Sequence, residues 1–91
     1  MAKNPTARAD LGGGSPEKAF GEALRKLRRS RSMSQDELAH ASGYHRTYIG
    51  YLERGEKSPS LRTIFDLAST LQVRPSDLLR SVEKNLARYR R

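Results

Sequence analysis

The chain predicts an all-α fold, on three observations. Apolar residues recur at helical spacing in five separate segments. Capping residues precede several of those segments, and Gly43 marks a tight break between two short ones. The chain has 91 residues, enough for one small domain with a modest core and too few for a typical enzyme fold. Cysteine is absent, so neither disulfides nor thiolate metal sites support the fold, and helix packing must.

Residues 1–14, MAKNPTARADLGGG, lack periodicity and end in glycines, the composition of a flexible tail. Lys3 and Arg8 are candidates to reach a phosphate backbone or a minor groove; a solvated tail without a role is the simpler alternative. The domain is expected over residues 15–91. Ser15-Pro16 starts its first helix, with a hydroxyl N-cap followed by proline where no amide partner is lost. That helix should run to about Arg31 and bury Ala19, Phe20, Ala23, Leu24 and Leu27. Its end carries Arg25, Lys26, Arg28, Arg29 and Arg31, more cations than a helix C-terminus calls for.

Ser34 with Glu37 is a capping box opening the second helix, whose face is Leu38, Ala39 and Ser42. Ala39 is small where two helices would cross, and Gly43 stands where a left-handed backbone is needed. A third helix from about Arg46 turns Ile49 and Leu52 to the core and leaves Arg46, Thr47, Gly50 and Tyr51 outward. Two short helices meeting at a glycine turn form the unit that places a helix in the DNA major groove. Ser60 caps a fourth helix with Leu61, Ile64, Phe65, Ala68 and Leu71 as its expected buried face. From Pro75 the apolar positions Leu78, Leu79, Val82, Leu86 and Tyr89 keep helical spacing among Arg80, Lys84, Arg88, Arg90 and Arg91.

The formal net charge of +8 calls for a polyanionic partner, nucleic acid first and an anionic membrane surface second. A basic surface kept for solubility is the bland alternative. No apolar run is long enough to span a bilayer and the N-terminus lacks a signal peptide's hydrophobic segment, as expected of a cytoplasmic chain. His40 and His45 are the only histidines and make no metal site. With no nucleophile–base set, phosphate loop or metal-ligand cluster, neither an enzyme nor a cofactor is expected. The stacking sheet and glycine loop of the common RNA modules are also missing.

The stretch MSQDELAHASGYHRTYIGYLERGEKSPSLRTIFDLASTLQV resembles the helix-turn-helix domain of Cro/C1-type (XRE) transcriptional regulators. The resemblance rests on Ser34-Gln35, Ala39, Gly43, Ile49, Leu52-Glu53-Arg54-Gly55 and Pro59-Ser60-Leu61 in register, within a span of roughly residues 18 to 80. Arg46-Thr47-Tyr48-Ile49 is similar to the recognition helix of restriction–modification controller proteins in that family. The resemblance implies a five-helix, lambda-repressor-like domain binding a palindromic double-stranded operator as a homodimer, with recognition helix 45–54 in the major groove. It further implies a structural ion pair between Arg28 and Glu53, and a phosphate contact from Gln35. The chain departs from the family at Tyr44, His45, Gln72 and Arg74, where a small aliphatic residue, a Ser or Thr, a glycine and a better N-cap are usual.

Arg46 suits a bidentate contact to guanine, Thr47 a thymine methyl or a base acceptor, and Tyr51 is a second base-edge candidate. His45, Arg54, Lys57 and Ser58 are expected at phosphates. Tyr48 is read as a boundary residue, apolar body inside and hydroxyl at a phosphate, with a core role as the alternative. The stripe Leu78, Leu79, Val82, Leu86 and Tyr89 is expected to pack against a twofold mate; otherwise the helix stops near Val82 and a basic tail follows. The competing function is a protein-interaction module, an antitoxin of similar fold holding a toxin. It would need a second apolar surface beyond that stripe.

Overall fold

The computed structural model describes residues 14–89. Five helices follow one another: α1 (Pro16–Ser30), α2 (Gln35–Ser42), α3 (Arg46–Glu53), α4 (Leu61–Thr70) and α5 (Pro75–Tyr89). There is no strand among the described residues. Most of the expected tail, with Lys3 and Arg8, lies outside them, as do Arg90 and Arg91.

The helix starts follow their capping chemistry. Ser15 Oγ accepts from the Lys18 amide, and Ser60 Oγ from the Thr63 amide. At α2 both halves of the capping box form: the Glu37 amide donates to Ser34 Oγ at 3.0 Å and the Ser34 amide to Glu37 Oε1 at 2.7 Å. The α3 start is weaker, because the His45 side chain makes no capping bond. Gly43 ends α2 in the left-handed region at φ +81°. Gln72 takes the same region at φ +60° after α4, where a Cβ is crowded by the following carbonyl.

Leu24, Leu38, Ile49, Leu52, Leu67 and Leu71 are the fully buried centre of the core. Around them α1 packs along α5 and across α3, while α2 bridges α3 and α4. Gly21, in the middle of α1, permits the crossing with α3. A Cβ there would stand 2.5 Å from the carbonyl oxygens of both Leu52 and Glu53. Arg31 closes the other side, its Nε donating to the Leu71 carbonyl at the end of α4.

Two expected faces are corrected. On α4 the buried stripe is Thr63, Ile64, Leu67, Ala68 and Leu71, whereas Leu61 is 70% and Phe65 53% exposed. Burial of Leu67, Ala68 and Leu71 holds the helix in this rotation, and polar Thr63 is tolerated inside because it is satisfied. Its hydroxyl lies 2.9 Å from Ser60 Oγ and 3.2 Å from the Tyr48 hydroxyl. On α5, Leu78 and Val82 are buried in the chain's own core at 2% and 7% exposure, so they are not free to form a dimer stripe. Leu86 and Tyr89 also pack on that core, and the helix continues through Tyr89 rather than stopping near Val82. The far end of the stripe packs on α1 rather than on a twofold mate. Asn85 donates to the Ala19 carbonyl, and Arg88 and the Tyr89 hydroxyl reach Glu22. Only Leu79 of the expected set is exposed, at 41%.

Candidate nucleic-acid interface

The inner side of α3 is anchored and its first turn is left to solvent; Gly50, expected on the outward face, is instead buried with Ile49 and Leu52. Ile49 and Leu52 have no exposed surface, while Arg46 and Thr47 on the first turn are exposed. Burial of two aliphatic side chains, roughly 2 kcal/mol each, fixes the face that the helix presents. Arg46 is not isolated: its Nε sits 3.3 Å from Asp36 Oδ1 across the turn, with both side chains largely exposed. At that exposure the pair adds little stability. It biases the direction of the guanidinium.

A buried ionic network ties the end of α3 to the rest of the domain. Arg28 Nε and Nη2 donate to Glu53 Oε2 and Oε1 at 2.6 and 2.9 Å, a bidentate form of the ion pair that the resemblance implies. The Arg28 and Glu53 side chains are only 9% and 3% exposed. Arg28 Nη1 also donates to the Met33 carbonyl, just ahead of α2. The hydrogen bonds to Glu53 keep the Arg28 guanidinium protonated to still higher pH than usual. Glu53 Oε1 accepts in addition from Gln35 Nε2 at 3.0 Å. One carboxylate thus orients Gln35, the expected phosphate contact, at the N-terminus of α2.

The tyrosines part ways. Tyr48 is half-buried, its ring packs on the core and its hydroxyl lies 3.2 Å from Thr63 Oγ1 on α4, the place of a boundary residue. Tyr44 fills the position where a small aliphatic is usual. Its ring stacks obliquely on Tyr48 at 5.4 Å, and its hydroxyl donates to Asp66 Oδ2 at 2.6 Å. That hydrogen bond raises the phenol above its ordinary pKa. Tyr51 stays on the outer side with Arg54 and Lys57 over its ring. His45 at the N-cap of the same helix, and Arg54, Lys57 and Ser58 at its end and in the loop after it, are exposed.

Sequence reasoning missed Gly21, Asp36 and Glu56. Gly21 was hidden because glycine inside a helix ordinarily weakens it. Asp36 could have been found as a carboxylate flanking the capping box. Glu56 lies two residues beyond Arg54 and binds it through two hydrogen bonds, which hold its carboxyl below the usual carboxylate range. Among the described residues no group of His, Asp and Glu is arranged to hold a metal ion, and no helix is long and apolar enough to cross a membrane.

An anchored helix with an exposed polar first turn, set against a second helix by a glycine turn, defines a helix-turn-helix protein. A helix-turn-helix family profile matches residues 24–78. The chain belongs to this family, the XRE-type DNA-binding transcriptional regulators. It is 46% identical over 61 residues to the control protein C.BamHI of Bacillus amyloliquefaciens, a match covering 66% of this chain and 75% of that one. It is 43% identical over 58 residues to the control protein C.SmaI of Serratia marcescens, covering 64% and 69%. Among solved structures, the restriction-modification controller protein C.AhdI of Aeromonas hydrophila superposes with a TM-score of 0.66 at 41% identity. That match covers 77% of this chain and 97% of that one. The fold is also that of C.Esp1396I, a tetramer in complex with its natural 35 base-pair operator; the TM-score is 0.73 at 22% identity, covering 80% and 96%.

Proposed function

We propose that this chain binds a palindromic double-stranded operator as a homodimer, in the manner of a restriction–modification controller protein working in the cytoplasm. The observation that carries this reading is the first turn of α3. Arg46 and Thr47 are exposed there on a helix fixed from behind by Ile49 and Leu52. Arg46 takes the two acceptors of a guanine edge and Thr47 an adjacent thymine methyl or base acceptor. Gln35, His45, Arg54, Lys57 and Ser58 hold the backbone, setting register without reading sequence.

The second copy covers α4 and α5. The exposed large apolar side chains of the described residues, Leu61, Phe65 and Leu79, all lie on these two adjoining helices. They replace the stripe that folding has taken into the core. A twofold contact there sets two recognition helices about one DNA turn apart, roughly 34 Å. The fold is compatible with a multimer on DNA, since C.Esp1396I has it as a tetramer on its operator. The toxin-holding alternative draws no support from relatives that are control proteins and regulators.

Selection of bound duplexes from a random pool tests the reading. It predicts an enriched inverted repeat whose half-sites are centred about 10 base pairs apart; enrichment without any repeat contradicts it. Leu61→Asp combined with Phe65→Asp should give a folded monomer in sedimentation, with weakened binding to the enriched duplex. A variant that stays dimeric puts the interface elsewhere.

A further inference from the structure

Tyr51 has surroundings that a base-reading tyrosine does not need. Arg54 Cζ stands 5.3 Å from the centre of its ring and Lys57 Nζ 5.1 Å, both inside the reach of a cation–π contact. Arg54 is fixed from two further sides. Its Nε and Nη2 donate to Glu56 at 2.9 and 3.3 Å. Its Nη1 lies against Gly50, where a Cβ would be only 3.1 Å away. The lack of a side chain at Gly50 lets the guanidinium lie back over α3 toward the tyrosine.

We propose that Tyr51 is a positioning residue, whose ring holds Arg54 and Lys57 together as one clamp for adjacent phosphates of a DNA strand, and whose hydroxyl reads no base. The inference rests on the DNA-binding reading above and revises the role that the sequence suggested for Tyr51. Two long cationic side chains three residues apart repel each other and lose rotamer freedom when both are pinned to a polyanion. An aromatic face that attracts both offsets the repulsion and orders them before the DNA arrives. Glu56 fits the same picture. Its carboxylate occupies the Arg54 fork as a phosphate would, with two parallel N–H donors, and gives way when a phosphate competes for them.

Tyr51→Phe and Tyr51→Leu separate the ring from the hydroxyl. Each is titrated against the duplex enriched by the wild-type protein and against a random-sequence duplex of equal length, across a salt series, with circular dichroism confirming the fold. Phe should keep affinity, base preference and salt slope. Leu should weaken both duplexes by the same factor, roughly five- to twentyfold from two cations, and flatten the salt slope. In the free protein, the Arg54 side-chain proton resonances should be ring-current shifted in wild type and Phe and not in Leu. Loss of base preference in Phe would mean that the hydroxyl reads a base. Leu behaving as wild type, or no ring-current shift in wild type, would mean that the ring orders nothing. Either overturns the proposal while leaving the DNA reading intact. A wild-type protein that binds neither duplex removes that reading, and the clamp with it.

Discussion

The charged groups at the two ends of α3 are built on opposite terms. Glu53, at the last turn of α3, is buried and shared by Arg28 and Gln35. Arg46, at the first turn, is exposed and paired with the likewise exposed Asp36, while Arg54 just beyond the helix holds Glu56 in the open. The same residue types therefore do different work. Inside, a charge removed from one side leaves its partner stranded without solvent, so the pair is an obligation of the fold. Outside, water screens the pair and replaces either member cheaply, so the charges remain available to a ligand.

That contrast is broken most severely at Arg28. Arg28→Ala strands Glu53 and the Met33 carbonyl together, and urea denaturation should show a loss of about 3 kcal/mol. An unchanged denaturation midpoint with weaker DNA binding would move Arg28 from the interior class to the surface class. Gln72→Gly should act in the opposite direction, raising stability by about 1 kcal/mol because the left-handed backbone no longer carries a Cβ. A loss there would mean that the Gln72 side chain contributes more than its backbone strain costs. At the small end, Arg54→Ala should leave the denaturation midpoint unchanged, because water already screens the exposed pair, while binding to any duplex falls. A large stability change would show that the Arg54–Glu56 pair belongs with the buried network.

How far these roles were legible in the sequence follows the same division. Capping and periodicity depend on neighbours in the chain, so Ser15, the Ser34–Glu37 box, Gly43, Ser60 and the core leucines of α1 to α3 were placed correctly. The Arg28–Glu53 pair came from the family resemblance, since its two members are 25 residues apart. The faces of α4 and α5 were misjudged because each helix is apolar on more than one side, and spacing alone does not say which side meets the core. Leu61 and Phe65 looked as buried as Ile64 and Ala68, and polar Thr63 gave no sign of being inside, where its hydroxyl finds Ser60 and Tyr48. Likewise the α5 stripe was assigned to a twofold mate because the length of contact between α1 and α5 was not foreseen. The two cations over Tyr51 were partly legible, as Tyr51 and Arg54 are three apart on a helical turn; the loop that returns Lys57 to the same ring was not.

The central claim is that Arg46 reads a base while the cations around it hold the backbone. Arg46→Ala, measured on the enriched duplex and on random DNA at one salt concentration, tests it most directly. The expected result is a loss of about 1–3 kcal/mol confined to the enriched duplex, with preference relaxed at one guanine per half-site. An equal loss on both duplexes would place Arg46 among the phosphate contacts and contradict the account.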